Sequence, residues 1–201
     1  TPGQCPSVPG VIDRDPSTGL VTTIYSNYEN LAERYTSGGD LDIRWTIPAE
    51  AGKFTARANV TYVKKFIEDG VNYAGTNGAS STMPRVRGAF SLDYDTGAWA
   101  ITGRANYTHS YQNEYLDDGY YGPGDGVFQT GTYGEKVRSH STYDLFVRYN
   151  WSKNLSVSGS VINVQNTLPP YDPGFSSTYL YDFTMYDVRG RQLRVGLTYK
   201  M

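Results

Sequence analysis

Apolar and polar residues alternate with period two along most of this chain, which is the pattern of half-covered β-strands. From Gln192 to Met201 the odd positions Leu193, Val195, Leu197, Tyr199 and Met201 are apolar or aromatic, and the even ones are polar or glycine. Leu41, Ile43, Trp45 and Ile47 alternate with Asp40, Asp42, Arg44 and Thr46 in the same way. Further strands put Phe54 to Tyr62, Val86 to Tyr94, Trp99 to Tyr107 and Tyr143 to Trp151 on one face at alternate positions. Phe146 is an inward exception, and a Ser-rich strand follows at about Leu155 to Val164. With a weaker strand from about Leu20 to Tyr28, the pattern predicts eight strands behind a loop over residues 1–17. The two-faced strand near Met201 requires a pairing partner and a cover for its apolar face.

The connections sharpen this picture. Pro48 to Gly52, Asp95-Thr96-Gly97 and Ser152-Lys153-Asn154 are short turns by composition, whereas residues 69–83, 112–136 and 165–185 are long, patternless connections on the opposite side. Tyr or Trp marks strand ends repeatedly, as in Trp45, Tyr62, Tyr94, Trp99, Tyr107, Tyr149, Trp151 and Tyr199. Short turns on one side, long loops on the other and aromatics at the margins of an apolar band describe the wall of an all-β, antiparallel transmembrane barrel. A soluble β-sandwich accounts for the alternation. It leaves unexplained why Arg and Asp recur opposite the apolar face with no amphipathic helix to cover either side.

Composition agrees. Nineteen Tyr and 22 Gly in 201 residues favour many strands joined by wet turns over a Leu- and Ile-rich core. The net charge of −2, with Lys and Arg scattered, speaks against a nucleic-acid partner. Cys5 is the one cysteine and has no partner within the chain. No apolar run approaches the roughly 20 residues of a spanning helix, so a membrane crossing here uses strands of about 9 to 11 residues.

Candidate chemistry is sparse. His109 and His140 adjoin Ser110 and Ser141, but neighbours on a strand point to opposite faces, which argues against a catalytic dyad. No cofactor is implied. Asp117-Asp118-Gly119 and Asp125-Gly126 lack the spacing of a calcium loop, so no metal ligands are assigned. The long loops offer ligand contacts instead: Tyr111, Tyr115, Tyr120, Tyr121, Phe128 and Tyr133 with Asp117 and Asp118, and Tyr171, Phe175, Tyr179 and Tyr181. Aromatic faces stack on sugars or aromatic chelators, and carboxylates accept from hydroxyls. The bland reading is that tyrosines pack loops together and form an interfacial girdle. Inward-facing Arg44, Arg57, Arg85, Arg87, Arg104, Arg148 and Arg194 are expected to form a charge ladder with Asp42, Asp93 and Asp144.

Three segments resemble a known family. Arg14-Asp15-Pro16-Ser17-Thr18-Gly19-Leu20-Val21 with Asn27 and Thr36 to Asp42, then Val161 to Pro170, then Tyr186-Asp187-Val188-Arg189-Gly190-Arg191 before the last strand, are similar to motifs of TonB-dependent receptors. Two positions depart from the family pattern: Val164-Gln165 stands where Phe-Asp is usual, and Met201 where Phe is usual. The resemblance implies an outer-membrane transporter of a Gram-negative bacterium. Residues 1–201 would be the C-terminal part of a 22-stranded barrel, residues 1–17 an extracellular loop, and the plug domain absent from them. Loops would bind an iron-siderophore or oligosaccharide, and TonB would energise import through the missing N-terminal part. The implied partners are membrane lipid, the other strands and plug of the same receptor, and the barrel-assembly machinery, which would read Gly196, Leu197, Tyr199 and Met201 in the last strand. The partner of Cys5 would lie upstream. The alternative is a self-contained eight-stranded barrel serving as adhesin or anchor.

Overall fold

The computed structural model describes residues 12–24, 33–68, 70–78, 81–113, 136–172, 175 and 178–200. The chain divides into two units, Thr1–Glu33 and Arg34–Met201. In the first, β1 (Ile12–Arg14) pairs antiparallel with β2 (Val21–Ile24). The Asp15 carboxylate closes the turn between them, accepting from the Ser17 amide (2.8 Å), the Ser17 hydroxyl (2.5 Å) and the Thr18 amide (3.0 Å). These bonds, led by the Ser17 hydroxyl, hold Asp15 down at about 2. Residues 1–17, read from sequence as loop, thus contain a short strand. Of the strand expected from about Leu20 to Tyr28, the described part is β2, which pairs with β1.

The second unit is built on one antiparallel sheet. Its strands are β3 (Arg34–Ala49), β4 (Gly52–Glu68), β6 (Val86–Asp95), β7 (Trp99–Thr108), β10 (His140–Asn150), β11 (Leu155–Ile162) and β12 (Gln192–Tyr199), neighbours in that order. β5 (Val71–Asn72) folds back antiparallel on the end of β4, and β8 (Tyr111–Gln112) pairs with β9 (Lys136–Val137) as a separate ribbon. The wall therefore has seven long strands among the described residues, not eight. β3 and β4 outrun the alternation that predicted them, with a bulge at Ser37/Gly38. A side chain at Gly38 would meet the Tyr62 carbonyl oxygen at 2.2 Å, so glycine is required at that close approach.

Register carries the alternation across the whole sheet. One row runs Trp45, Ala56, Leu92, Gly103, Leu145, Val161, Leu193, and the row on the opposite face runs Thr46, Thr55, Asp93, Thr102, Phe146, Ser160, Arg194. Burial is inverted relative to a sheet in water. Leu92, Leu145 and Val195 are 45%, 40% and 87% exposed, while Thr55, Ser91 and Asp144 on the polar side are buried. Aromatic pairs sit at the short-turn margin: Phe54 stacks on Tyr94 at 4.5 Å and Trp99 meets Tyr149 at 4.4 Å.

The turns at this margin follow from their residues. Glu50-Ala51 is a two-residue hairpin, and Gly97 adopts φ 83 with its amide on the Asp95 carboxylate. The buried apolar clusters lie at the other end, where loops pack on strand tops: Phe66 with Ala74, and Tyr111 with Val137 and Tyr186.

Candidate functional site

The polar face is held mostly by hydrogen bonds to neutral groups. Arg57 pairs with Asp93 at 2.7 Å, and Thr102 donates to the same carboxylate at 2.6 Å. Asp42 accepts from Asn59 (3.2 Å), Asp144 from Asn106 (3.0 Å) and from the Asn163 amide (2.9 Å), and the Arg104 guanidinium lies 5.6 Å from the centre of the Phe146 ring. The expected ladder of arginines and aspartates is thus one ion pair within a network of Asn, Thr and Ser, among the described residues. Register places Phe146 on this face, opposite Thr102 and Ser160, and the Arg104 guanidinium covers its ring there.

The two C-terminal motifs fold onto each other. Asn163 (φ 54) and Asn166 (φ 56) occupy the left-handed region that Asn tolerates, and Asn163 closes a loop by exchanging two hydrogen bonds with Thr167, 2.8 and 2.9 Å. The Asn166 side-chain oxygen accepts from the Arg191 amide at 2.9 Å. Gly190, at φ 67, packs so close to that oxygen that a Cβ would stand 2.5 Å away. Asp187 is lowered to about 2 by the adjoining Arg189 side chain, which donates to it from Nε at 2.9 Å.

Above the strands, the three long connections meet at one buried carboxylate. Asp172 is 0% exposed and accepts from Tyr111 OH (2.7 Å), Asn113 Nδ2 (2.9 Å), the Phe175 amide (3.2 Å) and, more weakly, Asn77 Nδ2 (3.4 Å). Asn77 lies between β5 and β6, Tyr111 and Asn113 in and beside β8 in the connection from β7 to β10, and Asp172 between β11 and β12. Burial raises the Asp172 carboxyl above its ordinary value while these donors oppose the rise. The same burial, with the Asp172 hydrogen bond, raises the Tyr111 phenol, and burial pushes Tyr186 up to about 12. Asp182, also 0% exposed, accepts from the Thr184 hydroxyl at 2.6 Å.

Tyr111, expected among ligand contacts, is 1% exposed and packs inside this node. Tyr171 and Tyr179 are 47% and 60% exposed. Phe175 and Tyr179 each meet Phe183 edge-on, at 5.3 and 5.4 Å, and Tyr179 meets Tyr181 at 6.4 Å. The structure thus links Phe175, Phe183, Tyr179 and Tyr181 in a chain of ring contacts, in which Phe183 was not foreseen. Tyr115, Asp117, Asp118, Tyr120, Tyr121, Phe128 and Tyr133 lie outside the described residues, as does Met201. Gly196, Leu197 and Tyr199 sit in β12, on whose apolar face Leu197 and Tyr199 are 72% and 64% exposed. Sequence reasoning missed Asp172, Asp182, Asn77 and Asn113. No local signal marks the two aspartates, because the Tyr-Asp pairs at 171–172 and 181–182 recur at 94–95, 143–144 and 186–187. His109 Nδ1 lies 2.8 Å from Tyr107 OH, and His140 packs edge-on against Tyr186.

A family model described as TonB dependent receptor-like, beta-barrel matches residues 8–164. Two mutant forms of the ferric enterobactin receptor PfeA from Pseudomonas aeruginosa are similar in structure, with TM-scores of 0.55 and 0.56, each at 19% identity over 83% of this chain and 22% of the receptor. The ferric-catecholate import receptor Fiu from E. coli K12 aligns over 78% of this chain and 19% of its own, at 16% identity and a TM-score of 0.46. No curated protein matches. The chain spans about a fifth of the length of the PfeA chains it matches. With most of its length matched by that family model, the chain belongs to the TonB-dependent receptor-like β-barrel family.

Proposed function

We propose that this chain is part of the barrel wall of a Gram-negative outer-membrane receptor that binds a scarce solute at its extracellular loops and imports it with energy relayed by TonB. The observation that carries the reading is the inverted burial of a seven-strand sheet, whose exposed apolar rows are far larger than a water-soluble surface tolerates. Dimensions support it. From Trp99 to Tyr107 the eight steps of β7, at about 3.4 Å each, cover about 27 Å, or about 21 Å after a tilt of about 40°, close to the roughly 25 Å apolar band of outer-membrane barrels.

Lipid would meet the apolar rows, and a plug domain would meet the polar ones. Further strands would continue the sheet at its β3 and β12 edges. The barrel-assembly machinery would read β12. The function is binding and transport rather than catalysis. A self-contained eight-stranded barrel would need an eighth long wall strand, and the sheet has seven among the described residues.

The solute is an iron chelate or an oligosaccharide. The PfeA relatives are named for ferric enterobactin, so that chelate is tested first. Titrating the purified whole receptor with ferric enterobactin and with a maltooligosaccharide, by quenching of its tryptophans, is expected to give saturable binding of one. Uptake of that solute should stop in cells lacking TonB. Saturable binding of neither would sink the reading.

A further inference from the structure

Aromatic rings exposed on a loop capture a ligand tightly only when their positions are fixed beforehand, because ordering them on binding costs affinity. The rings of Tyr179 and Phe183 are more than half exposed and held edge-on to each other, yet they belong to a connection of nearly 30 residues between β11 and β12. A connection of that length needs an anchor to keep one shape. Leu180, between the two rings, has φ 60, a left-handed conformation that an ordinary side chain occupies at a cost and keeps only when its surroundings enforce it.

The enforcing group is Asp172. Its amide donates to the Leu180 carbonyl at 2.9 Å, and its carboxylate accepts from the Phe175 amide at 3.2 Å, so one residue grips the aromatic segment on both sides. The same carboxylate is fastened from outside by Tyr111 OH and by the Asn113 and Asn77 side chains, 61, 59 and 95 residues away in the chain. Those donors stand on the two neighbouring long connections, which are themselves joined by the Asn77 amide on the Gln112 carbonyl (3.1 Å) and the Gln112 amide on the Gly75 carbonyl (2.8 Å).

We infer that Asp172 is a positioning residue for solute capture: a buried carboxylate, tied to Tyr111, Asn113 and Asn77, that presets the strained segment 178–183 and so holds the Tyr179 and Phe183 rings ready for a ring-bearing solute. The capture step rests on the receptor reading above; the holding of the segment does not. Asp172 touches no solute itself. Its carboxylate is fully enclosed, and its effect passes through the backbone at Phe175 and Leu180.

The test uses the whole receptor in detergent, comparing Asp172→Asn and the milder Tyr111→Phe with the parent. Backbone amide exchange over residues 178–186 is expected to quicken about tenfold or more in Asp172→Asn and less in Tyr111→Phe, while exchange in β6, β7 and β10 and the heat-modifiable migration of the barrel stay unchanged. Affinity for whichever of ferric enterobactin or maltooligosaccharide the parent binds should fall about tenfold. Saturating solute should restore protection of 178–186 in the variant, because a ligand that binds only the ordered segment shifts that equilibrium by mass action, and the unchanged exchange in β6, β7 and β10 separates this from general destabilisation. Unchanged exchange over 178–186 overturns the inference. So does quickened exchange with unchanged affinity, which would leave the receptor reading standing. A parent that binds neither probe fells the receptor reading and the capture step together, and the exchange comparison then decides the holding role separately.

Discussion

A single glycine illustrates how the two C-terminal motifs depend on each other. Gly190 needs both a left-handed backbone and the absence of a side chain, since its φ is 67 and a Cβ would press into the Asn166 Oδ1 at 2.5 Å. Gly190→Ala is therefore expected to break the Arg191-to-Asn166 hydrogen bond and cost about 1–3 kcal/mol locally, read as faster amide exchange at Arg191 with β10 and β11 unaffected. Wild-type exchange at Arg191 in that variant would contradict the account. Both motifs were visible in sequence as a resemblance, but their contact was not: Asn166 and Arg191 are 25 residues apart, and nothing local marks one as the other's partner. Tyr111 carries the same lesson. Its composition and loop position pointed to a ligand, whereas its hydroxyl is consumed by Asp172, a long-range pairing that no periodicity encodes.

At the scale of strands, the chain was far more legible. Period-two alternation fixes which side chains share a face, and antiparallel register then transmits that choice from β3 to β12 without interruption. What alternation does not report is where pairing stops. β3 and β4 go on pairing past the bulge at Ser37/Gly38, beyond their alternating stretch, and β5, β8 and β9 are two-residue pieces too short to leave a pattern. The face assignment makes a sharp prediction. Leu145 pairs with Gly103 midway between the Trp99 and Tyr107 margins, on the apolar side. Leu145→Arg should cost the folded receptor in lipid vesicles about 2–4 kcal/mol in denaturant titrations, whereas Ser160→Arg on the opposite face should cost less than about 1 kcal/mol. Equal losses would mean that the two faces meet similar surroundings.

Across the whole wall, strand pairing and loop packing organise opposite ends. The short turns at one margin are local hairpins with single ties between neighbours, Asn150 Nδ2 on the Gly97 carbonyl (2.7 Å) and Asn154 Nδ2 on the Lys200 carbonyl (2.8 Å). The other end is cooperative, because its three connections share the Asp172 node and one loop cannot be reshaped without loosening the others. The seven-strand sheet has two edges, β3 and β12, that do not pair with each other among the described residues. A wide barrel wall curves gently, and bringing these edges together would force seven strands into a radius smaller than that of the eight-stranded barrels whose interior side chains just fill. The inward face here carries Arg44, Arg57, Arg104, Arg148 and Arg194, whose bulk and like charge oppose such closure. Residues 1–201 produced alone and refolded in detergent are therefore expected to remain protease-sensitive and to migrate identically with and without heating. A heat-modifiable, protease-resistant monomer would show that the sheet closes on itself, and would transfer the argument to the self-contained barrel.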